Sequence, residues 1–348
     1  MPNRDLVAIG ASAGGIGALQ QLCAALPSEL NAAVLVVVHT AASSSNLLPR
    51  VLHRAGCLNA VNPSDGEEIQ NGTIYVAPPD RHMVVEKHHL RLVRGPRENH
   101  HRPAIDPTFR SAALAYGPRV VGVVLTGCLE DGTNGLMVVR AHRGEAIVQN
   151  PSSAMFPSMP ESALRMVPDA HIATLEEMPA LIAKLVSESL EDRRPATATD
   201  ALTIRDVRMT ELDMSEVESD ILTGKPSVFG CPQCGGVVWE IHQGGLLRFR
   251  CRVGHVYTAQ HLKAEQRQVI ESALWAALRA LEERASLFRR LAARARSTTL
   301  DSLIEGYEER AATAEVNSRT LRDFLVHVNA AEFEVGEAAE LLAQARAS

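Results

Sequence analysis

Residues 33–38 read Ala-Val-Leu-Val-Val-Val, apolar at every position and rich in β-branched side chains. A strand with no polar face must be covered on both sides, as happens in a parallel sheet layered between helices. The runs 6–11 and 120–125 have the same character, and 146–149 continues the series. Between them lie stretches with helical spacing: Ile16, Leu19, Leu22 and Leu26 first, then segments at 45–54, 107–116, from about 133, and 175–189. Shorter strand patterns at 73–77, 82–86 and 89–93 are separated by Pro78-Pro79-Asp80 and Lys87-His88, which read as turns. Alternation of this kind predicts an α/β fold over residues 1–190. Its sheet is doubly wound, Rossmann-like and mostly parallel, with an inserted antiparallel hairpin.

At 348 residues the chain exceeds what one core usually fills, and its composition changes along its length. Residues 191–200 shift to Arg, Pro, Ala and Thr and 201–228 are polar and weakly patterned, so 191–228 reads as a linker. A cysteine cluster occupies 229–258. Residues 259–348 are almost free of Gly and Pro, and apolar positions such as Leu274, Leu278 and Leu281 recur at helical spacing. With a break at Thr298-Thr299, this tail predicts a helical hairpin or bundle. A net charge of -6 and an aromatic fraction of 4% disfavour nucleic acid as a partner. The apolar stretch 6–18 is interrupted by four glycines and is too short for membrane insertion. Met1-Pro2-Asn3-Arg4 lacks a secretion-signal profile. Three of the six cysteines lie close together, which points to a reducing compartment, the cytoplasm, and to a metal site over disulfides.

Gly10-Ala11-Ser12-Ala13-Gly14-Gly15 follows the first strand and opens a helix. A serine on such a turn is lifted out of the sheet, and the helix N-terminus offers N–H groups to a developing oxyanion. Glycine-rich turns also bind phosphates, and residues 10–17 look like the dinucleotide turn of short-chain dehydrogenases. Against that reading, the second strand ends in His39-Thr40, where a ribose-binding acid belongs. Nor does a lysine stand four residues after Tyr75, Tyr116, Tyr257 or Tyr307. His39 and Asp131 follow two further buried strands, so with Ser12 they belong at the carboxyl edge of the sheet, where open α/β domains place their sites. The chemistry would be attack by Ser12, proton transfer by His39 and orientation of the imidazole by Asp131. A capping or surface role for His39, and a helix-capping role for Asp131, remain open at this point.

Several motifs in order resemble the catalytic domain of the chemotaxis protein-glutamate methylesterase family (CheB). They are Ile9 to Gly15, His39, Ala77-Pro78-Pro79-Asp80-Arg81-His82-Met83, His101-Arg102-Pro103-Ala104-Ile105-Asp106, Leu125 to Gly132, Gln149-Asn150, and Phe156-Pro157-Ser158-Met159-Pro160. The resemblance covers about residues 4–187. It implies hydrolysis of glutamate γ-methyl esters on the cytoplasmic helices of methylated chemoreceptors, with deamidation of receptor glutamines as a companion activity. It places nucleophile, base and acid on Ser12, His39 and Asp131, and it implies other chemosensory signalling proteins as further partners. Ala13 stands where the family commonly has Thr, Gly127-Cys128-Leu129 where it has Gly-Met-Gly, and His39-Thr40-Ala41 where it has His-Met-Pro. Well-known members carry a receiver domain ahead of the esterase. Here the first strand begins at about residue 6, so a stand-alone enzyme, activated without its own receiver, is expected. Arg81, His82, Arg102 and Asp106 are candidates for lining the substrate groove or for a solvated rim. His88-His89 and His100-His101 receive no ligand role, and Cys128 reads as a plain buried cysteine.

Cys231-Pro232-Gln233-Cys234 and Cys251-Arg252-Val253-Gly254-His255 form a Cys-x-x-Cys and Cys-x-x-x-His pair. Strand patterns at 237–241 and 246–250 would bring the two halves together, as in zinc ribbons. Cys231, Cys234, Cys251 and His255 make a closed site for a structural zinc ion, and no cofactor is expected for catalysis. Binding of this type contributes roughly 10–16 kcal/mol to folding, more than a unit this small supplies alone. The tail is a candidate for self-association. Two other function classes stay in play: a binding module for receptor helices, and a nucleic-acid-binding zinc protein built on 200–348.

Overall fold

The computed structural model describes residues 3–190, 201–211, 224–296 and 301–345, with side chains of the last segment described for 303–326. The remainder of the linker, 191–200 and 212–223, and the Thr298-Thr299 break lie outside the described residues. Residues 1–263 form one compact unit and 264–348 a second.

Seven strands form the central sheet: β1 (Leu6–Ala11), β2 (Ala33–Val38), β3 (Asn59–Val61), β5 (Thr73–Val76), β8 (Val120–Val124), β9 (Glu145–Gln149) and β10 (His171–Ala173). Their order is β10-β9-β8-β1-β2-β5-β3, and every pairing between them is parallel. The all-apolar runs are the central strands, as their lack of a polar face requires. Val7, Ile9 and Ala11 of β1 join one core with Leu19 and Leu22 of α1 (Gly15–Ala25) and Ile182 of α6 (Met178–Ser187). Leu6 and Ala8 face the opposite core, with Phe109 of α3 (Ile105–Tyr116), Leu136 of α4 (Thr133–Ala141) and Ala163 of α5 (Ser158–Met166). Helix α2 (Leu48–Ala55) buries Leu52 in the first core.

Gly10 lies under the start of α3. A Cβ there would stand 2.4 Å from Ile105 Cγ2, so only glycine lets the helix approach the strand this closely. Gly10→Ala is expected to cost roughly 1–3 kcal/mol by overpacking, read as a lowered urea midpoint. An unchanged midpoint would mean that α3 moves aside freely.

The predicted hairpin is β6 (His82–Glu86) with β7 (His89–Val93), extended by the two-residue β4 (Glu67–Glu68) into an antiparallel sheet of its own. It is fastened to α3 by Thr108 Oγ1, which donates to Met83 O at 2.6 Å, and by Ser111 Oγ, which accepts from Val85 N–H at 2.9 Å.

The cysteine-rich segment folds as four antiparallel strands in sequence order: β11 (Lys225–Gly230), β12 (Val237–Gln243), β13 (Leu246–Cys251) and β14 (Val256–Thr258). The stretch read as a linker contains a helix, α7 (Ala201–Thr210), which buries Thr203, Arg205, Asp206, Met209 and Thr210. Its buried face is largely polar, so no apolar periodicity marked it. Asp206 accepts from Arg248 at 2.7 Å and pairs with Arg250 at 2.5 Å, with Arg110 at 3.9 Å. Arg110 in turn donates to both oxygens of Glu98 at 2.7 and 2.8 Å. These fully buried charges join α3, α7 and β13, so the cysteine-rich sheet is part of the first unit.

The second unit holds most of α8 (Ala259–Arg296) together with α9 (Asp301–Ala345). Glu282 pairs with Arg322, Arg289 with Glu315 and Arg296 with Glu308. The partners step seven residues along each helix in opposite directions, which makes an antiparallel hairpin. No helix among the described residues is long and apolar enough to cross a membrane.

Candidate active site

Strands β8, β1 and β2 are neighbours in the sheet, so the loops at their carboxyl ends lie side by side. Ser12 leaves β1, and its N–H donates to Thr126 O at the end of β8, 3.0 Å away. His39 follows β2, and Asp131 lies in the loop after β8. The sheet brings all three together: Ser12 Oγ is 2.9 Å from His39 Nδ1, and His39 Nε2 is 2.7 Å from Asp131 Oδ2. An ionised Asp131 can only accept, so the neutral imidazole carries its proton on Nε2 and leaves Nδ1 to accept from the serine hydroxyl. Gly127 permits the close approach of the β8 loop, since a Cβ there would stand 2.9 Å from Ser12 Cβ and 2.6 Å from Met159 Cε.

Asp131 is fully buried, which alone would raise its pKa. The His39 hydrogen bond and charge, the Ile105 N–H at 2.7 Å and Asn99 Nδ2 at 3.0 Å outweigh burial and hold the carboxyl well below the usual range. Asp106 shows the opposite balance: burial, then the negative charge of Asp131, pushes its carboxyl upward. Two neighbouring buried carboxyls are thus pushed in opposite directions by their surroundings. Asp106 accepts from Gly135 N–H at 2.7 Å and ties α4 to α3.

The His39 ring is covered by His101, with centroids 3.5 Å apart and an interplanar angle of 8°. Burial, followed by the charge of His39, pushes His101 down to about 3. His261 meets His101 edge-on at 6.4 Å and is pushed down to about 4, mainly by burial. The His39 imidazole is therefore held flat against a neutral ring. Sequence reasoning gave His101 no role, and an adjacent histidine pair carries no signal for such stacking.

An open groove of about 370 Å³ runs beside His39, lined by Thr40, Ala41, Arg97, His100, His101 and Arg102. Of the groove candidates, Arg102 is there, anchored to Asp80 at 2.6 Å and to Gly95 O at 2.7 Å. Arg81 is exposed and reaches back to Leu92 O. His82 is fully buried. Its Nε2 donates to Pro96 O at 2.9 Å and its Nδ1 accepts from Ala104 N–H at 3.2 Å, a structural pairing. Asp106 is likewise internal, and Cys128 is exposed where a buried thiol was expected. On the other flank of Ser12, the exposed Met155 and Phe156 pack over Gly14.

Cys231, Cys234, Cys251 and His255 come together at the end of the β12–β13 hairpin. Their ligand atoms all lie within 4.8 Å of one another, a grouping that could hold a metal ion. Tyr257 Oη sits 3.4 Å from Cys231 Sγ.

The family model described as CheB methylesterase matches residues 7–182. A putative protein-glutamate methylesterase/protein-glutamine glutaminase of Leptospira interrogans is 34% identical over 192 residues, 55% of this chain and 100% of that protein. Protein-glutamate methylesterase/protein-glutamine glutaminase 2 of Methanosarcina mazei is 34% identical over 191 residues, 53% of this chain; the chain spans 52% of that relative's length. The crystal structure of the Thermotoga maritima CheB methylesterase catalytic domain superposes with a TM-score of 0.50 at 29% identity, covering 52% of this chain and 98% of that one. The matched region contains Ser12, His39 and Asp131, and the chain belongs to the CheB methylesterase family, a family of carboxylic ester hydrolases.

Proposed function

We propose that this protein is a protein-glutamate methylesterase that demethylates glutamate γ-methyl esters on chemoreceptor cytoplasmic helices in the cytoplasm, as part of chemotaxis-type signalling. The observation that carries the reading is the hydrogen-bonded chain Ser12–His39–Asp131 at three adjacent strand ends. Ser12 Oγ attacks the ester carbonyl while His39 Nδ1 takes its proton, and Asp131 stabilises the imidazolium. The N–H groups of Ala13 and Gly14 have no acceptor among the described residues, and they can receive the oxyanion. Collapse of the tetrahedral intermediate expels methoxide, which takes the proton from His39 and leaves as methanol. Water then attacks the acyl-enzyme with His39 as base, releasing glutamate and restoring Ser12. With a glutamine side chain the same steps release ammonia, so receptor deamidation is the companion activity. All groups for these steps are side chains and amides of the protein, so no catalytic cofactor is invoked.

The cysteine cluster fits a structural zinc ion. A tetrahedral site with Zn–S near 2.3 Å and Zn–N near 2.0–2.1 Å has edges of about 3.8 Å between sulfurs and about 3.6 Å between sulfur and nitrogen. Cys234 and Cys251 Sγ are 3.7 Å apart, and His255 Nδ1 lies 3.6 Å from Cys231 Sγ and 3.5 Å from Cys251 Sγ. Bound there, zinc would brace the fold. The partners proposed are methylated receptors, other chemosensory signalling proteins, and a second copy through the α8–α9 hairpin.

The test is methanol release from methylated chemoreceptor. Wild type is expected to release it, and Ser12→Ala to slow release by about 10⁴-fold or more. A folded wild type that yields no methanol favours a receptor-binding module without catalysis.

A further inference from the structure

Asn99 is buried to 1% exposure and has a left-handed backbone, φ 50°, a conformation that Asn tolerates better than most residues. Its side-chain amide is held at both ends. Nδ2 donates to Asp131 Oδ1 at 3.0 Å and to Asp106 Oδ2 at 3.3 Å, while Oδ1 accepts the Thr258 N–H at 3.0 Å. The second contact sets the polarity of the first. A backbone N–H can only donate, so it requires the amide oxygen to face β14 and turns the NH2 group toward the carboxylates. Without it the amide could flip and set its oxygen against Asp131. Residues 97–99 are also paired to β14 through the backbone: Asn99 N–H donates to Val256 O at 2.7 Å, and Val256 N–H donates to Arg97 O at 3.3 Å.

Strand β14 begins one residue after His255. Its course is set by the turn in which Cys251 N–H donates to His255 O and Gly254 N–H to Cys251 O, both at 3.0 Å. The same strand end positions His261, whose Nδ1 is 2.8 Å from Thr258 Oγ1 and whose ring abuts the His101 that covers His39.

We propose that Asn99 is a positioning residue for the triad acid and that the Cys251–His255 turn sets it through β14, so that the state of the cysteine cluster governs turnover. This rests on the esterase reading above. It assigns the cysteine-rich sheet a task inside the catalytic unit: it completes the support of Asp131.

The experiment compares the full chain, metal-loaded and chelated under reducing conditions, as wild type and Asn99→Asp. That variant keeps the shape and backbone tolerance of asparagine but turns donors into acceptors. Amide exchange is followed in peptides covering 97–106, with 145–149 in β9 reporting that the central sheet stays folded. Loaded Asn99→Asp is expected to retain its metal and to lose kcat by about tenfold or more, with KM changed less than about twofold. Chelation of wild type is expected to speed exchange at 97–106 by about tenfold and to lower kcat alike. In Asn99→Asp, chelation is expected to lower kcat by less than about a further twofold, because both changes break one connection. The idea is overturned if chelation empties the site yet leaves exchange at 97–106 unmoved, or if the two effects on kcat multiply. Absence of methanol from loaded wild type would sink the esterase reading alone, and the exchange comparison would still decide the coupling.

Discussion

Asp131→Asn is expected to lower kcat by about four orders of magnitude while leaving the enzyme folded. The reason is the direction of one proton. Asp131 Oδ2 accepts from both His39 Nε2 and Ile105 N–H, each at 2.7 Å. In the variant, Asn99 Nδ2, whose orientation Thr258 N–H sets, and Asp106 N–H together demand the amide oxygen in the Oδ1 place. The NH2 then takes the Oδ2 place, loses the Ile105 bond, and facing His39 can only donate. The imidazole must then carry its proton on Nδ1, where it meets Ser12 Oγ and can no longer accept the serine proton. The substitution is isosteric and forfeits one buried hydrogen bond, so it should cost about 1–3 kcal/mol of stability, while the loss of activity should appear in kcat, with KM near that of wild type. Single-turnover methanol release measures it. A loss below about tenfold would show that Asp131 does not fix the tautomer.

Asp206→Asn has the largest expected effect on stability, a loss of about 3–5 kcal/mol, because it leaves buried arginines without their shared counter-charge. Burial opposes ionisation of Asp206, but Arg248, Arg250 and then Arg110 more than offset it, and the carboxyl is held well below its usual range. A depressed folded pKa contributes stability that is fully present above the unfolded value of about 3.9 and is lost as pH falls toward the folded value. Urea midpoints measured between about pH 6 and pH 2 should therefore decline toward acid in wild type. The variant should start lower and decline less. Parallel curves would mean that Asp206 does not titrate differently on folding, and the ion network would then not be the source of the loss.

The grouping of Ser12, His39 and Asp131 was legible because all three follow strand ends. Three all-apolar runs had to be adjacent buried strands, and the residues leaving them had to share an edge. The grouping of Cys231, Cys234, Cys251 and His255 was legible from spacing alone. What holds those groups in place was not. Asn99 sits in a loop with no periodicity, and its partner Thr258 is 159 positions away. Helix α7 hides a charged face in the interior, so by hydropathy it reads as linker. His82 looked like a groove residue because histidine and arginine cluster there, yet two backbone partners bury it. The three-residue strands β3 and β10 are too short to show any pattern.

Asp131, Ser12 and His39 follow the middle strands of the sheet, β8, β1 and β2, and each of those strands is clamped by a neighbour on either side. The groove walls come from excursions between strands: the segment after β2 with Thr40 and Ala41, and the segment before α3 with Arg97 to Arg102; the Met155-Phe156 loop stands on the other flank of Ser12, over Gly14. On the proposed esterase reading, reactivity and selectivity are thereby carried on separate hardware. On that same reading, exchanging a rim loop is expected to change which ester is accepted without recutting the Ser12–His39–Asp131 chain. The segment before α3 is the exception, since it carries Asn99 as well as groove residues; a graft there has to preserve the support of Asp131 while it changes the wall.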